Sequence, residues 1–266
     1  MAIPDPSGAP LADLVSLRGR RAVVTGGARG LGRAIAARLA EAGASLLIGD
    51  LDGEGAASAA AELAARFGGD AAGTALDVTA SASVAALADQ AVARLGGLDV
   101  WVNNAGVYPS TPLLEMTDDD WDRVLTINLR GTFMGCREAA RRMIAADRGG
   151  VIVNLSSVAG LRGRSAGVSH YVASKHGVTG LTSQLAVELA GHAIRVLAVA
   201  PTTIITPGVQ GAMGGTDADL EAALRRPLGR AGRPDDVARV VLFCASDLSL
   251  FMSGSTLVVD GGELAR

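Results

Sequence analysis

Cysteine, histidine and aromatic residues are all scarce in this chain of 266 residues. It has two cysteines, Cys136 and Cys244, and three histidines, and only 3% of its residues are aromatic. Two distant cysteines in an alanine-rich chain are typical of reduced core residues, and no histidine has the spacing of a metal site. We therefore expect neither a disulfide framework nor a bound metal.

Excess charge and long hydrophobic runs are also missing. The net charge is −3 and there is no long basic run, which argues against nucleic acid or an anionic membrane as a partner. No stretch reaches the ~20 apolar residues of a membrane span. Residues 1–10 are proline-rich and lack the pattern of a signal peptide. We expect a flexible tail over residues 1–15, a single domain over 16–266 and a cytoplasmic location.

Apolar strand patterns alternate with helical patterns along the chain. Hydrophobic residues make up 49% of it, and the strand patterns show little period-two polarity. Such alternation predicts an α/β fold in which a parallel sheet is covered by helices on both faces. Ligands of these sheets bind at the carboxyl ends of the strands. Most of the candidate site residues lie at a strand end or on the following helix.

A glycine-rich turn follows the first predicted strand, Arg21–Thr25. Residues 25–32 read Thr-Gly-Gly-Ala-Arg-Gly-Leu-Gly, and a helical pattern follows them. The glycines allow close approach to a ligand, and a helix N-terminus can bind a pyrophosphate, although a tight turn without a ligand is the alternative. Asp50, at the end of the second strand, can accept hydrogen bonds from a ribose and would repel a 2′-phosphate, which favours NAD over NADP. Asp52 is a weaker candidate, and Arg29 acts in the opposite direction because a cation can meet a 2′-phosphate.

Two further strand ends carry polar or small residues. Asp77 can reach the adenine amino group, although it could instead cap the helix Ser81–Leu95. Residues 103–106 read Asn-Asn-Ala-Gly, small enough for the chain to cross the path of the cofactor; an Asx turn is the alternative.

A tyrosine and a lysine four residues apart form the candidate catalytic pair. On a helix, Tyr171 and Lys175 project from one face, and a nearby ammonium lowers a phenol pKa, which suits general acid/base chemistry. A surface helix with an aromatic residue under a lysine is the alternative. Ser157 can orient a substrate carbonyl oxygen, or simply cap a turn. Asn128 lies inside the predicted helix 117–145, where it either marks a kink that binds water or bonds back to its own helix.

The predicted substrate pocket is formed by residues 161–169 and 209–228. Residues 209–230 have no clear periodicity and are predicted to be a mobile lid. The pocket segments offer apolar residues, and we expect Arg162 and Arg164 to face solvent, with binding of a carboxylate or phosphate as the alternative. We therefore predict an uncharged, apolar or cyclic substrate. His170 is expected at the rim, with a substrate contact as the alternative.

With these motifs assembled, the chain resembles the short-chain dehydrogenase/reductase family over nearly all its length. The matching segments are 25–32, Asp77-Val78, 103–106, Asn128, Ser157, Tyr171 with Lys175, and 259–262. The resemblance implies a Rossmann-like, doubly wound fold with a seven-stranded parallel sheet. It also implies a catalytic tetrad of Asn128, Ser157, Tyr171 and Lys175. Tyr171 would exchange the proton, Ser157 would orient the substrate, Lys175 would bind the ribose and lower the pKa of Tyr171, and Asn128 would hold a water of the proton relay.

The resemblance further implies an NAD cofactor, a small alcohol or ketone as substrate, and a homotetramer with the last strand and the Asn128 helix at its interfaces. The predicted cofactor contacts are Gly26, Arg29, Gly30, Leu31, Gly32, Asp50, Asp77, Val78, Asn104, Ala105, Gly106, Tyr171, Lys175, Pro201, Thr202, Ile204 and Thr206. Thr202 departs from the family, which commonly has glycine after this proline.

The leading hypothesis is an NAD-dependent alcohol dehydrogenase or ketoreductase. An NADPH-dependent 3-oxoacyl reductase stays open within the family, and a non-catalytic dinucleotide sensor is the alternative from another class. A nucleotide-sugar epimerase would need a larger C-terminal domain.

Overall fold

The computed structural model describes residues 3–265, so residues 1, 2 and 266 of the predicted tail and domain lie outside the described residues. Seven parallel strands form one sheet in the order β3-β2-β1-β4-β5-β6-β7. The strands are β1 (Arg21–Thr25), β2 (Ser45–Asp50), β3 (Ala71–Ala75), β4 (Val100–Asn103), β5 (Gly150–Leu155), β6 (Ile194–Pro201) and β7 (Thr256–Val259).

Helices connect these strands and cover the sheet. They are α1 (Leu11–Val15), α2 (Gly30–Glu41), α3 (Gly53–Phe67), α4 (Ser81–Leu95), α5 (Asp118–Leu125), α6 (Gly131–Ala146), α7 (Ser169–Leu189), α8 (Pro207–Met213), α9 (Asp217–Ala223) and α10 (Pro234–Ala245). Short 3-10 turns occupy Val158–Gly160, Ala190–His192, Asp247–Ser249 and Glu263–Ala265. Across the described residues, no helix combines the length and the apolar character needed to cross a bilayer.

Each face of the sheet contributes to its own hydrophobic core. Alternate residues of a strand point to opposite faces, so Val24 packs in the core beneath α2, α3 and α10, while its neighbour Val23 packs beneath α4 and α6. Strands buried on both faces need apolar residues at almost every position, which explains the continuous apolar runs in the sequence. The predicted α/β, doubly wound fold with a seven-stranded parallel sheet is confirmed.

The sheet has a switch point between β1 and β4. The chain builds outward from β1 to β2 and β3, then returns to place β4 on the other side of β1. The connections on the two sides of this point diverge, which leaves a crevice at the carboxyl ends of the strands. The glycine-rich turn after β1 and residues 103–106 after β4 therefore meet at one place.

The helix α1 lies within residues 1–15, which were predicted to be a flexible tail. Two further regions differ from the sequence prediction. The predicted helix 117–145 consists of α5, a π-helical segment Thr126–Arg130 and α6. The predicted lid of residues 209–230 contains α9 and most of α8. Each of these two helices has seven residues, too few to show a period, and α9 starts with a capping box between Thr216 and Asp219.

Candidate active site

A cavity of about 710 Å³ opens at the carboxyl ends of the strands. Its volume is in the range typical of ligand sites. All the residues predicted to contact a cofactor line it, and Ser157 lines it as well. Among the predicted site residues Asn128 does not line the cavity, because it is completely buried behind the wall.

The glycine-rich turn folds tightly against the end of β4. Gly26 and Gly30 have left-handed backbone angles, with φ of +66° and +58°. A Cβ on Gly32 would lie 2.1 Å from the carbonyl oxygen of Gly26, so no larger residue fits there. The Asn104 side chain donates hydrogen bonds of 2.9 Å to the carbonyls of Thr25 and Gly26. No side chain among residues 3–265 caps α2, whose first N–H groups are therefore available to an anionic ligand.

Two carboxylates lie at the other strand ends of this half. One oxygen of Asp50 accepts a hydrogen bond of 3.0 Å from the backbone N–H of Ala28, and the other accepts one of 3.1 Å from Asp52. Asp77 accepts hydrogen bonds from the backbone and hydroxyl of Thr79, which lower the pKa of its carboxyl. Asp77 is therefore part of a turn and does not cap α4.

Tyr171 and Lys175 both lie on the face of α7 that borders the cavity. The Lys175 ammonium is buried, donates a hydrogen bond of 2.7 Å to the carbonyl of Leu155 and lies 5.7 Å from the centre of the Tyr171 ring. Burial lowers the pKa of Lys175 to about 8. Burial also raises the pKa of Tyr171, and the smaller opposing effects come from a hydrogen bond with Ser157 and the charge of Arg164. This direction is opposite to the lowering expected from Lys175, because desolvation of the phenolate is the largest effect.

Ser157 is the second residue after β5 and lies beside Tyr171 in the cavity lining. Its hydroxyl accepts a hydrogen bond of 3.1 Å from the backbone N–H of Ala159 and so starts the 3-10 turn Val158–Gly160. The same hydroxyl donates a hydrogen bond of 3.3 Å to the carbonyl of Pro201, and it lies near enough to the Tyr171 hydroxyl to lower the pKa of that phenol. The turn-capping alternative and the substrate-facing position therefore both apply to Ser157, and the two hydroxyls can contact one oxygen atom together.

Asn128 occupies the π-helical segment between α5 and α6. Its side-chain oxygen accepts a hydrogen bond of 2.8 Å from the backbone N–H of Val107, and its amide donates one of 2.8 Å to the carbonyl of the same residue. The amide also lies 3.2 Å from the hydroxyl of Ser174 on α7. Asn128 thus ties the cavity wall after β4 to the helix that carries Tyr171, and the predicted local irregularity of the helix is present.

His170 lies neither at the rim nor against a substrate, contrary to both expectations. It is completely buried and does not line the cavity. Its Nδ1 accepts a hydrogen bond of 2.9 Å from the backbone N–H of Tyr171, while its Nε2 has no hydrogen-bond partner among the residues that the structure describes. A residue next to Tyr171 on a helix points away from the face that Tyr171 occupies, which explains its position.

A polar cluster around Glu263, next to the cavity, was not predicted from the sequence. Glu263, only 7% exposed, forms ion pairs with Arg162, Arg164 and Arg226 and accepts a hydrogen bond from Thr202. Thr202, at the position that departs from the family pattern, also accepts a hydrogen bond of 2.9 Å from Arg226. Arg164 lines the cavity instead of facing solvent as expected. Tyr108, which was not predicted either, lines the same end.

Comparisons with known proteins agree with this geometry. A family model described as enoyl-(acyl carrier protein) reductase matches residues 26–263. D-threitol dehydrogenase of Mycolicibacterium smegmatis is 42% identical, covering 92% of this chain and 93% of its own. Cis-4-hydroxycyclohexanecarboxylate dehydrogenase of Sinomonas cyclohexanicum is 46% identical, covering 92% and 97%. The crystal structure of a short-chain type dehydrogenase/reductase from Mycobacterium marinum matches with a TM-score of 0.90 at 36% identity, covering 97% of this chain and all of the other.

The chain belongs to the short-chain dehydrogenase/reductase family. The resemblance inferred from the sequence is thereby confirmed. Proteins of this family are oxidoreductases that bind a nicotinamide dinucleotide, and relatives act on alcohol-type or ketone-type substrates. The cavity fits such a cofactor, because the uncapped N-terminus of α2 and the close-packed glycines provide a place for a pyrophosphate.

Proposed function

We propose that this protein is an NAD(H)-dependent oxidoreductase that interconverts a secondary alcohol and its ketone. One observation carries the proposal: Ser157, Tyr171 and Lys175 line one end of a cavity whose other end contains the glycine-rich turn and Asp50. A hydride donor or acceptor bound along this cavity would have its reactive end beside the two hydroxyls. The retained acid/base residues also argue against a non-catalytic dinucleotide sensor.

The proton in this reaction is handled by Tyr171. The bound nicotinamide supplies or accepts the hydride. Ser157 and Tyr171 together hold the substrate oxygen, and Tyr171 gives its proton to a ketone or takes one from an alcohol. Because burial raises its pKa, Tyr171 keeps its proton near neutral pH and is ready to donate it. A positive charge on Lys175 stabilises the phenolate that Tyr171 becomes after it has donated its proton.

Lys175 and Asn128 support this step in different ways. We propose that the Lys175 ammonium, held by the carbonyl of Leu155, also binds the nicotinamide ribose. Asn128 acts through the wall, since its hydrogen bonds to Val107 and Ser174 fix the position of α7 relative to β4. The water-mediated proton relay implied by the family stays a prediction for Asn128.

The proposed preference for NAD rests on Asp50. Its carboxylate lines the cavity at the end of β2, where the adenosine ribose of a dinucleotide would lie. A ribose with two hydroxyls can donate hydrogen bonds to this carboxylate, whereas a 2′-phosphate would be repelled. Arg29 lines the same end and would favour a phosphate, so the two residues have opposite effects. Comparing the stabilisation by NAD with that by NADP measures which effect is larger.

The proposed substrate is a ring alcohol or ring ketone. Val168 and Val209 give the cavity wall beyond Tyr171 an apolar character, and Tyr108 adds an aromatic ring. The relative from Sinomonas cyclohexanicum is named for a hydroxycyclohexane carboxylate, which agrees with a cyclic substrate. The sequence predicted an uncharged substrate. We do not propose this for the protein, because the cationic Arg164 lines the same cavity.

Thermal unfolding with NAD and NADP side by side tests the cofactor proposal. A ligand present at 100 times its Kd adds about 2.7 kcal/mol of stability, which is readily seen as a higher Tm. We expect stabilisation by NAD and little by NADP, followed by reduction of NAD when cyclohexanol or cyclohexanols substituted with alkyl or carboxylate groups are added. Stabilisation by NADP alone would overturn the role of Asp50. Stabilisation by neither nucleotide would contradict the enzyme proposal as a whole.

An NADPH-dependent reductase of 3-oxoacyl substrates is the second candidate. Two observations favour it: a relative from Thermotoga maritima that is 40% identical, covering 92% of this chain, is named 3-oxoacyl-(acyl-carrier-protein) reductase, and Arg29 lines the cofactor end of the cavity. In that case NADPH, but not NADH, should be oxidised when a 3-oxoacyl thioester such as acetoacetyl-coenzyme A is added. The same nucleotide comparison therefore separates the two candidates.

A further inference from the structure

The substrate end of the cavity contains an arginine whose position the proposed reaction does not explain. Arg164 lies in the segment between β5 and α7 and lines the same cavity as Ser157 and Tyr171. Its side chain is 24% exposed, so the guanidinium is largely enclosed by protein and still accessible from the cavity. The other cationic residues that line the cavity are Arg29, at the adenosine end, and Lys175, beneath Tyr171.

Arg164 is held in place by two partners. One Nη donates a hydrogen bond to Glu263, and the other lies 3.2 Å from the hydroxyl oxygen of Thr203. A guanidinium has five N–H donors in a fixed plane, so two hydrogen bonds leave further donors for a ligand. A guanidinium that is already oriented loses little conformational entropy on binding, which favours recognition of a planar anion.

The cluster has more positive than negative charge. Three guanidinium groups, those of Arg162, Arg164 and Arg226, surround the single carboxylate of Glu263. The nearby carboxylate of Asp260 accepts hydrogen bonds from the backbone of Gly262 and Leu264. An excess of positive charge beside a partly apolar cavity attracts an anionic group.

Arg164 is not needed to neutralise Glu263. Arg226 contacts one oxygen of that carboxylate at 3.1 Å, and Arg162 contacts the other at 3.3 Å. Thr202 adds a hydrogen bond to the oxygen that Arg226 contacts. Glu263 would therefore keep partners on both oxygens without Arg164. Among the three arginines of the cluster, Arg164 is the one that lines the cavity, which distinguishes it from Arg162 and Arg226.

We propose that Arg164 binds a carboxylate on the substrate, so that the ring alcohol of the proposed function is an acid whose hydroxyl group lies at Tyr171. This inference rests on the proposed function for the hydroxyl end, whereas the anion site itself rests on Arg164, Thr203 and Glu263. The two ends of the substrate would be fixed separately, one by the hydroxyls of Ser157 and Tyr171 and one by a charge-assisted hydrogen bond to the guanidinium.

A ligand that cannot react tests the anion site independently of turnover. Cyclohexanecarboxylate has no hydroxyl group, and its methyl ester has the same ring without the charge. Binding of each to the NAD-saturated protein is measured by calorimetry, at low and at moderate salt. We expect the acid to bind more tightly than the ester, and we expect added salt to weaken the acid alone.

Variants of Arg164 show whether it is the residue that binds the acid. Arg164→Met should weaken binding of the acid about 10- to 100-fold and change binding of the ester little, while Arg164→Lys should restore part of the affinity. Arg162→Met is the matched control, because Arg162 pairs with the same carboxylate but does not line the cavity. It should leave affinity for the acid within about threefold, since only the long-range field changes. An unchanged Tm shift with NAD shows that each variant is folded.

Several outcomes would overturn the inference. These are equal binding of acid and ester by the wild type, equal losses in Arg164→Met and Arg162→Met, or loss of ester binding along with acid binding in Arg164→Met. Failure of the proposed function has a different signature. In that case the acid would still bind through Arg164, but no hydroxylated ring acid would reduce NAD.

Discussion

Replacement of Asp50 by asparagine changes the charge at the adenosine end of the cavity while keeping its shape. One Asp50 oxygen accepts a hydrogen bond of 3.0 Å from the backbone N–H of Ala28, within the glycine-rich turn. The oxygen of an asparagine amide can keep this bond, whereas Asp50→Ala would leave the N–H without its partner. The amide, however, has only one acceptor oxygen and no negative charge.

The expected effect on cofactor preference combines two terms. Hydrogen bonds to a charged group contribute about 1.5–3 kcal/mol and neutral ones about 0.5–1.5 kcal/mol, so the ribose contact should weaken by roughly 1 kcal/mol, or several-fold in Kd for NAD. A carboxylate and a 2′-phosphate charge about 4–8 Å apart repel by about 2–4 kcal/mol per unit charge at an effective dielectric of 20. Asp50 is partly exposed, so salt reduces this repulsion. The ratio of NADP to NAD affinity should rise by about 10²-fold.

Isothermal calorimetry with each nucleotide measures this ratio directly. Asp52→Asn is the matched control, because Asp52 lies two residues away, caps α3 through Gly55 and does not line the cavity. Asparagine caps a helix about as well as aspartate, so that variant should leave both the unfolding temperature and the nucleotide preference nearly unchanged. An unchanged ratio in Asp50→Asn, or an equal change in both variants, would refute the reasoning.

Three other predictions concern stability and assembly. Lys175 has a pKa of about 8 in the folded protein against 10.5 for the free group, so the unfolded chain binds more protons between these two pH values. The free energy of unfolding should therefore rise with pH across this window, by up to about 3 kcal/mol relative to Lys175→Met. Denaturant titrations at about pH 7.5 and about pH 10.5 should show this difference, and parallel pH curves for the two proteins would contradict it. Asn128→Ala removes both hydrogen bonds to Val107 and should lower the free energy of unfolding by about 2–4 kcal/mol, measured as a lower midpoint of denaturant unfolding. His176→Ala is an exposed control, and an equal loss of stability in the two variants would show that the bonds of Asn128 contribute little. A homotetramer, as the family resemblance implies, would cover Phe133 on α6 and Val258 on β7, which are 42% and 43% exposed in the single chain. Light scattering after size exclusion should then give four times the mass of one chain, and the mass of a monomer would contradict the prediction.

The sequence was sufficient to predict the parts of the fold that depend on local patterns. β1 and α4 begin and end where the sequence predicted, and β2 ends at Asp50 as expected, because short apolar runs and alanine-rich helical periods are bounded by turn residues. Parallel strands place their carboxyl ends at one edge of the sheet, so residues that follow different strands could be expected to line one cavity. The positions of Asp50 and Ser157 follow from this argument.

The features that could not be predicted depend on contacts between distant segments. Glu263 approaches Thr202 and Arg164 only because β7 lies beside β6, and no local spacing links these three positions. The direction of the pKa shift of Tyr171 depends on how deeply α7 is buried, which helical spacing alone does not show. The same burial removes His170 from the cavity, because α7 packs against α5 as well as against the cavity wall.

The most direct test of the central claim is hydride transfer by Tyr171→Phe compared with the wild type. Each protein is saturated with NAD, cofactor binding is verified by the Tm shift, and the appearance of reduced nicotinamide is followed after a ring alcohol is added. We expect the wild type to reduce NAD, and we expect Tyr171→Phe to bind NAD but to react at least ~10²-fold more slowly, because only the proton transfer is lost. Near-normal turnover by Tyr171→Phe would contradict the assignment of the proton-transferring group.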